Sequence, residues 1–301
     1  MNKEIISDKQ GIALMVMFII GTSSIVVQGL EAKKDLAMAI ILSVFMALPV
    51  ILIYARLHYM FPDNDLFDIL EICFGRVIGK LIGILYVFYH FYVATSILWV
   101  QSEFAMMVSF TKTPRIIVSI IITINAIWII KEGIEVMGRW AEFFVIILIT
   151  FILSTVLLMI PNMNINNIRP ILAEGIKPVM KGGASAFAFP FSQTVAFTMV
   201  FSNFKNKKSS YKIYLIGLFI GGIMLLINSL NDVLVLGINT CMNMYFPTYE
   251  VASKINIGDI LQRIEVITGI VFMLGTFIKL SIYLLAFCKA PCGKIVVVGE
   301  N

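Results

Sequence analysis

The residues of this chain whose types suit chemistry fall inside its most apolar stretches. Gly21-Thr22-Ser23-Ser24 interrupts the apolar run 11–30, and Phe187-Ala188-Phe189-Pro190-Phe191 lies at the middle of GGASAFAFPFSQTVAFTMVFS, which ends at Ser202. Proline has no backbone N–H and its ring clashes with the preceding turn, so a helix is expected to break at Pro190. In hydrocarbon the freed backbone groups must find partners, and broken helices survive only where they line a protein-enclosed cavity. Two interrupted helices at corresponding places in two halves point to a solute site between them. Half-helix ends direct amide groups and partial positive charge at a carboxylate, while freed carbonyls accept from an ammonium, so an amino acid suits such a site. Phe187, Phe189 and Phe191 could wall a pocket for an apolar side chain. No acidic residue sits at either break, which leaves the ammonium to backbone and hydroxyl oxygens. The competing reading is that Gly21 only admits a neighbouring helix and the hydroxyls bond back to their own helix.

Other ionisable groups at membrane depth are functional candidates by default. Lys279, with Thr276 in the segment GTFIKLS, either snorkels to the interface or sits beside the first break and replaces a coupling cation. Glu103 either guards a vestibule or reaches headgroups. His90 reads as a neutral histidine bonded to a neighbouring helix rather than a proton relay. Asn125 reads as interhelical glue.

The elements that must position these residues are membrane spans. The 301 residues are 59% hydrophobic and 14% charged, with mean hydropathy +0.95; soluble domains average about 45–50% apolar and about 25% charged. An all-α polytopic membrane protein follows. A span needs about 20 apolar residues, which gives eight, at 11–30, 36–57, 79–110, 115–131, 141–160, 183–202, 211–237 and 264–287. The span 79–110 is long enough to require a strong tilt, and Pro49 predicts a structural kink in the second. Lys and Arg are more numerous in the loops on the amino-terminal side, FKNKKSSYK above all, which predicts a cytoplasmic amino terminus. Ser7 or Asp8 can cap the first helix. The loop after the fifth span, with Pro161, Pro170 and Pro178, is expected along the outer surface, and a short helix is expected from Thr248 to Lys254, in a loop that either covers an outer vestibule or simply connects.

Composition also excludes classes. The net charge of +5 is topological, not a nucleic-acid-binding patch. Cys73, Cys241, Cys288 and Cys292 form no CxxC pair and only two histidines are present, so no metal or other cofactor is expected. No nucleophile–base pair or phosphate-binding loop suggests an enzyme.

The interrupted first span, the GGASAFAFPFSQ centre, the basic loop, FPTYEVASKINIGDILQRIE and GTFIKLS, in this order, resemble the B subunits of spore-germination nutrient receptors over roughly residues 5–286. These are GerAB/GerKB-type spore permeases of the amino acid–polyamine–organocation superfamily. The resemblance implies a LeuT-type inverted-repeat helical bundle within a single transmembrane domain over 1–287, with a first repeat at 11–160 and an incomplete second at 183–287. It implies a complex with A-type and lipoprotein C-type subunits in the inner membrane of the endospore, and recognition of a germinant, commonly an amino acid. Carried onto this chain, the ligand would meet Gly21, Thr22, Ser23 and Ser24, faced by Phe187, Ala188, Phe189 and Pro190, with Tyr92, Ser96 and Thr276 assisting.

The implied fold has ten spans, whereas eight are legible, and the tail 288–301 does not resemble the family. A truncated second repeat is therefore expected. Three functions remain open: a germinant-sensing receptor subunit, an amino acid secondary transporter coupled to protons or cations, and an inactive membrane scaffold.

Overall fold

A computed structural model describes residues 6–201, 209–255 and 264–289. The basic stretch 202–208 and most of the tail expected over 288–301 lie outside the described residues. Every regular element among those described is helical. The α-helices are α1 (Asp8–Ile20), α2 (Leu36–Met60), α3 (Leu66–Val108), α4 (Arg115–Glu132), α5 (Ile134–Met159), α6 (Ile176–Ala186), α7 (Phe197–Val200), α8 (Ser209–Leu236), α9 (Ile238–Asn243), α10 (Pro247–Ser253) and α11 (Ile264–Cys288).

Five segments are long and apolar enough to cross a bilayer: Leu30–Met60, Leu66–Val108, Ile134–Asn162, Ser209–Leu236 and Ile264–Cys288. The other three expected spans are α4, whose 18 residues include charged ends, and the two broken segments. The large apolar side chains Phe45, Leu85, Phe88, Trp128, Phe143 and Ile146 are exposed on α2 to α5. Exposed apolar surface on this scale belongs against lipid. The chain is an all-α multi-pass membrane protein.

α1 is apolar on all sides and is correspondingly enclosed, with every residue from Ala13 to Ile25 buried. It packs against α8, α5 and α11. Glycines set the closeness of α1 and α8: a Cβ on Gly221 would lie 2.9 Å from Ile19 Cδ1, and Gly11 and Gly217 face Ile213 and Met15 in the same way. Without a hydrophobic driving force in lipid, such close backbone approach is what holds helices together.

Ser7, not Asp8, caps α1. The Gln10 N–H donates to Ser7 Oγ at 3.3 Å and the Ser7 N–H donates to Gln10 Oε1 at 3.0 Å. Asp8 is instead ion-paired with Lys212 of α8 at 2.9 Å. Ser7→Ala is expected to cost about 1 kcal/mol, read as a lowered thermal midpoint of the purified protein in detergent.

α3 begins earlier than the apolar pattern indicates and is not straight. Gly75, at φ 76° and ψ 168°, separates the first turns from the long apolar section. That backbone conformation suits glycine, whose missing Cβ removes the clash. The polar loop after α5 is stitched to its neighbours rather than lying free. The Asn164 N–H and Asn167 Nδ2 both donate to Leu234 O, the Leu172 N–H donates to Asp35 Oδ1, and Lys33 pairs with Glu174. The short helix expected from Thr248 is α10.

Candidate binding site at the two helix breaks

α1 ends where its sequence stops supporting a helix. Gly21, at φ −29° and ψ −89°, leaves the helical region after its N–H donates to Met17 O at 2.7 Å, and Thr22–Ser24 follow as a 3₁₀ turn. The Ser24 hydroxyl donates to Gly21 O at 2.8 Å. A Cβ on Gly21 would lie 2.9 Å from the carbonyl oxygen of Gly275, so the break is also where the backbones of α1 and α11 touch. Gly21 therefore both ends the helix and admits a neighbouring backbone.

The second break follows α6. Phe187–Phe191 form a wide π-type turn in which Phe189 is extended, at φ −139° and ψ 115°, and Ser192–Ala196 form a 3₁₀ turn leading into α7. The hydroxyls of Ser192 and Thr194 donate to the carbonyls of Ala188 and Phe191 at 2.8 and 2.7 Å. Side-chain hydroxyls thus take up carbonyls that the interrupted ladder releases, as hydrocarbon surroundings require.

Lys279 of α11 joins the two breaks. Its ammonium donates to Thr22 Oγ1 at 3.0 Å and lies 4.5 Å from the Phe189 ring centroid and 5.1 Å from that of Phe18. The residue is 0% exposed, and no carboxylate pairs with it among the described residues. The snorkelling alternative is overturned, because the side chain turns into the bundle where the hydroxyl and two ring faces receive it. Desolvated cation–π contacts are worth roughly 2 kcal/mol, short of what removing an ammonium from water costs. Ser23 Oγ and Thr276 Oγ1 are buried without hydrogen-bond partners, as is Oε1 of Gln101, whose Nε2 donates to Met273 O at 3.1 Å. Buried polar atoms without partners are uncommon in folded proteins, and each calls for an explanation.

Not every residue expected here is brought to the breaks. Tyr92 is 70% exposed, and the Ser96 hydroxyl donates back to Tyr92 O at 2.8 Å. Helical periodicity is the reason: His90, Val93, Ala94, Ile97 and Gln101 form the buried face of α3, and positions 92 and 96 share the opposite one. Ala188 is exposed, and Phe187 is half-buried. Pro190 is buried in the turn itself. Glu103 is paired with Arg115 at the start of α4, and that guanidinium lies 5.0 Å from the Trp99 ring, so the carboxylate fastens α3 to α4. Asn125 Nδ2 donates to Ile121 O of its own helix, not across helices. His90 likewise bonds its own helix, with Nδ1 2.5 Å from Tyr86 O, and its ring packs 5.5 Å from that of Tyr283 on α11.

The residue most clearly missed is Phe18. It lies near the end of α1, four residues before Thr22 in the turn that follows the helix. Its ring also stands 5.4 Å from that of Tyr283, whose hydroxyl donates to Gln193 O at 3.3 Å beyond the second break. Next to this aromatic layer a cleft of about 400 Å³ is lined by Tyr54, Tyr86, Tyr89, Ser192 and Val195.

Two discontinuous helices held at a common buried lysine, within a lipid-facing bundle, define a polytopic helical membrane protein of the permease kind. The chain belongs to the spore permease family, described as spore germination protein, whose profile matches residues 5–291. It is 26% identical to spore germination protein KB of Bacillus subtilis (strain 168) over 289 residues, covering 95% of this chain and 78% of that one. It is 24% identical to the putative spore germination protein YfkT of the same organism, covering 85% of this chain and 71% of the relative. Spore germination protein A2 of that organism is 22% identical, with 73% of this chain and 60% of the relative covered.

Proposed function

We propose that this protein is the germinant-sensing membrane subunit of a spore germination receptor, which binds an amino acid or similar small nutrient between its two broken helices. The observation that carries the proposal is Lys279, a fully buried ammonium in contact with Thr22 at one break and Phe189 at the other. A charge held between two interrupted helices makes their relative position sensitive to whatever binds there. Thr22, Ser23 and Thr276 supply hydroxyls, the carbonyls of the breaks supply acceptors, and Phe189 supplies an apolar wall. Lys279 stands in this reading where a transporter would hold a coupling cation.

The same reading places the protein in the inner membrane of the endospore with its amino terminus cytoplasmic, beside A-type and lipoprotein C-type subunits that receive the signal. The bundle is then one permease-like domain built from repeats at 11–160 and 183–287. Family membership and the paired breaks support this arrangement.

Binding of a panel of labelled amino acids to the purified protein in nanodiscs tests the proposal. Saturable binding of at least one is expected, weakened about tenfold or more by Thr22→Val and by Thr276→Val, since a hydrogen bond to a charged ligand is worth about 1.5–3 kcal/mol. Binding that both variants leave intact removes the breaks from recognition. The second reading, an amino acid secondary transporter, is favoured by the permease-type pair of broken helices; gradient-driven accumulation of the labelled ligand in vesicles would establish it over a purely sensory role.

A further inference from the structure

The lipid-facing side of the bundle carries a polar feature that the two breaks do not use. Asn125 is exposed on α4, on a surface otherwise made of Ile120, Ile121, Ile124 and Ile127. An amide turned toward hydrocarbon is costly unless something answers it. Its Nδ2 donates to Ile121 O at 2.8 Å, which leaves a second amide hydrogen and Oδ1 for what lies outside the helix. Trp128, Ile129 and Glu132 follow Asn125 at the i+3, i+4 and i+7 spacing that aligns side chains along one helix face. These four residues form one wall of a cavity of about 100 Å³, closed by Val136 and Trp140 of α5 and by Phe277 of α11. That is several times the room that one water molecule needs.

The cavity lies at the boundary of the bilayer. α4 and α5 meet beside it at Gly133, at φ 91°, and Lys131, Glu132, Glu135 and Arg139 cluster around that junction. Arg139 is taken by Glu135 at 2.6 Å, and no Lys, Arg or His pairs with Glu132 among the described residues. Trp128 and Trp140 are both exposed, the latter backed by Phe144 with ring centroids 5.2 Å apart. Tryptophan prefers this level of a membrane, where one side of the ring is wet and the other apolar.

We infer that this cavity binds the primary ammonium of an ethanolamine phospholipid headgroup. The unpaired Glu132 carboxylate accepts from the ammonium, and the faces of Trp128 and Trp140 take its positive charge. Asn125 lies seven residues before Glu132, about 10 Å deeper along α4. Its second amide hydrogen is there to donate to an ester carbonyl of the same lipid. This depth, and the opening of the cavity toward lipid between two exposed indoles, favour a lipid over a free amine. A seated headgroup bridges α4, α5 and α11 through Phe277, on the side of α11 away from the breaks. The assignment does not rest on the nutrient-binding reading.

The test is quenching of tryptophan fluorescence by lipids with brominated chains. It uses full-length Trp99→Phe protein, whose remaining tryptophans are Trp128 and Trp140, in vesicles of phosphatidylcholine. A rising fraction of phosphatidylethanolamine, or of phosphatidylcholine itself, carries the bromines. Both lipids are zwitterionic, so the general charge of the surface cancels. The relative binding constant is expected to favour phosphatidylethanolamine by about fivefold. Glu132→Gln, an exposed and isosteric change, is expected to bring the two lipids to parity. Equal quenching by both in the parent protein overturns the inference, and so does a preference that Glu132→Gln retains. Asn125→Leu is expected to weaken quenching by both lipids alike, and no change in either overturns the place given to the ester. Ethanolamine hydrochloride, at the same molar amount as the lipid, is expected to leave the quenching as it is. Relief of quenching by that salt assigns the cavity to a free amine and overturns the lipid assignment. No germinant takes part, so failure here leaves the nutrient-binding proposal standing, and the reverse.

Discussion

Lys279→Met is expected to raise the thermal stability of the protein while removing the germinant response proposed for it. The ammonium is fully buried with one hydroxyl and two aromatic rings for company. Methionine has nearly the same length and bend, fills the same space between Phe18 and Phe189, and carries no charge to desolvate. Replacing buried ionic groups by apolar ones of similar volume is commonly neutral or stabilising by about 1–4 kcal/mol. The lost Thr22 hydrogen bond and cation–π contacts subtract from that gain, and the expected net change is a higher midpoint by a few degrees, on the order of 2–4 °C per kcal/mol for a chain of this size. In spores carrying the variant, dipicolinic acid release on nutrient exposure is expected to fall to the level of a strain without the gene. Membrane abundance by immunoblot should be unchanged. The opposite pattern, a destabilised protein that still responds, would mean that Lys279 holds the fold and plays no part in sensing.

The second large effect is at Gly21. Its Cβ position lies 2.9 Å from the Gly275 carbonyl oxygen and 3.1 Å from Met17 O, both backbone atoms that cannot swing aside. Gly21→Leu therefore forces α1 from α11 along the seam that holds Lys279 against Thr22. Overpacking of this kind costs about 1–3 kcal/mol in a yielding core, and more is expected where backbone meets backbone. The outcome is loss of folded protein from the membrane fraction, with the spores unresponsive as a consequence. Ala188→Leu at the other break behaves differently. Ala188 is exposed, so the added side chain meets no packed neighbour and stability should stay within about 0.5 kcal/mol of wild type. Equal loss of protein in the two variants would show that the second break is packed as tightly as the first. Bulk at Gly21 consequently tests packing, and the hydroxyl variants at Thr22 and Thr276 are the ones that test recognition.

What the sequence by itself determined about this protein is whatever the backbone enforces locally. Pro190 cannot continue a helix and Gly21 removes the side chain that would keep two backbones apart, so both breaks were legible, as were the long apolar spans and the capping residues at the start of α1. Lys279 was left between the interface and the first break, and only packing set it against Thr22. Only the tertiary structure decided which way side chains face and what meets them. Tyr92 and Ser96 lie on the same span as His90 and Gln101, and only the packing of α3 against α11 decides which pair is turned inward. Phe18 read as one apolar residue among many until Lys279 was seen against its ring. Asp232 and Thr248 lie on separate helices, and only the fold sets one against the other. A helix break depends on the residues at the break, whereas a binding environment is assembled from segments hundreds of residues apart, and its geometry exists only once the helices have packed.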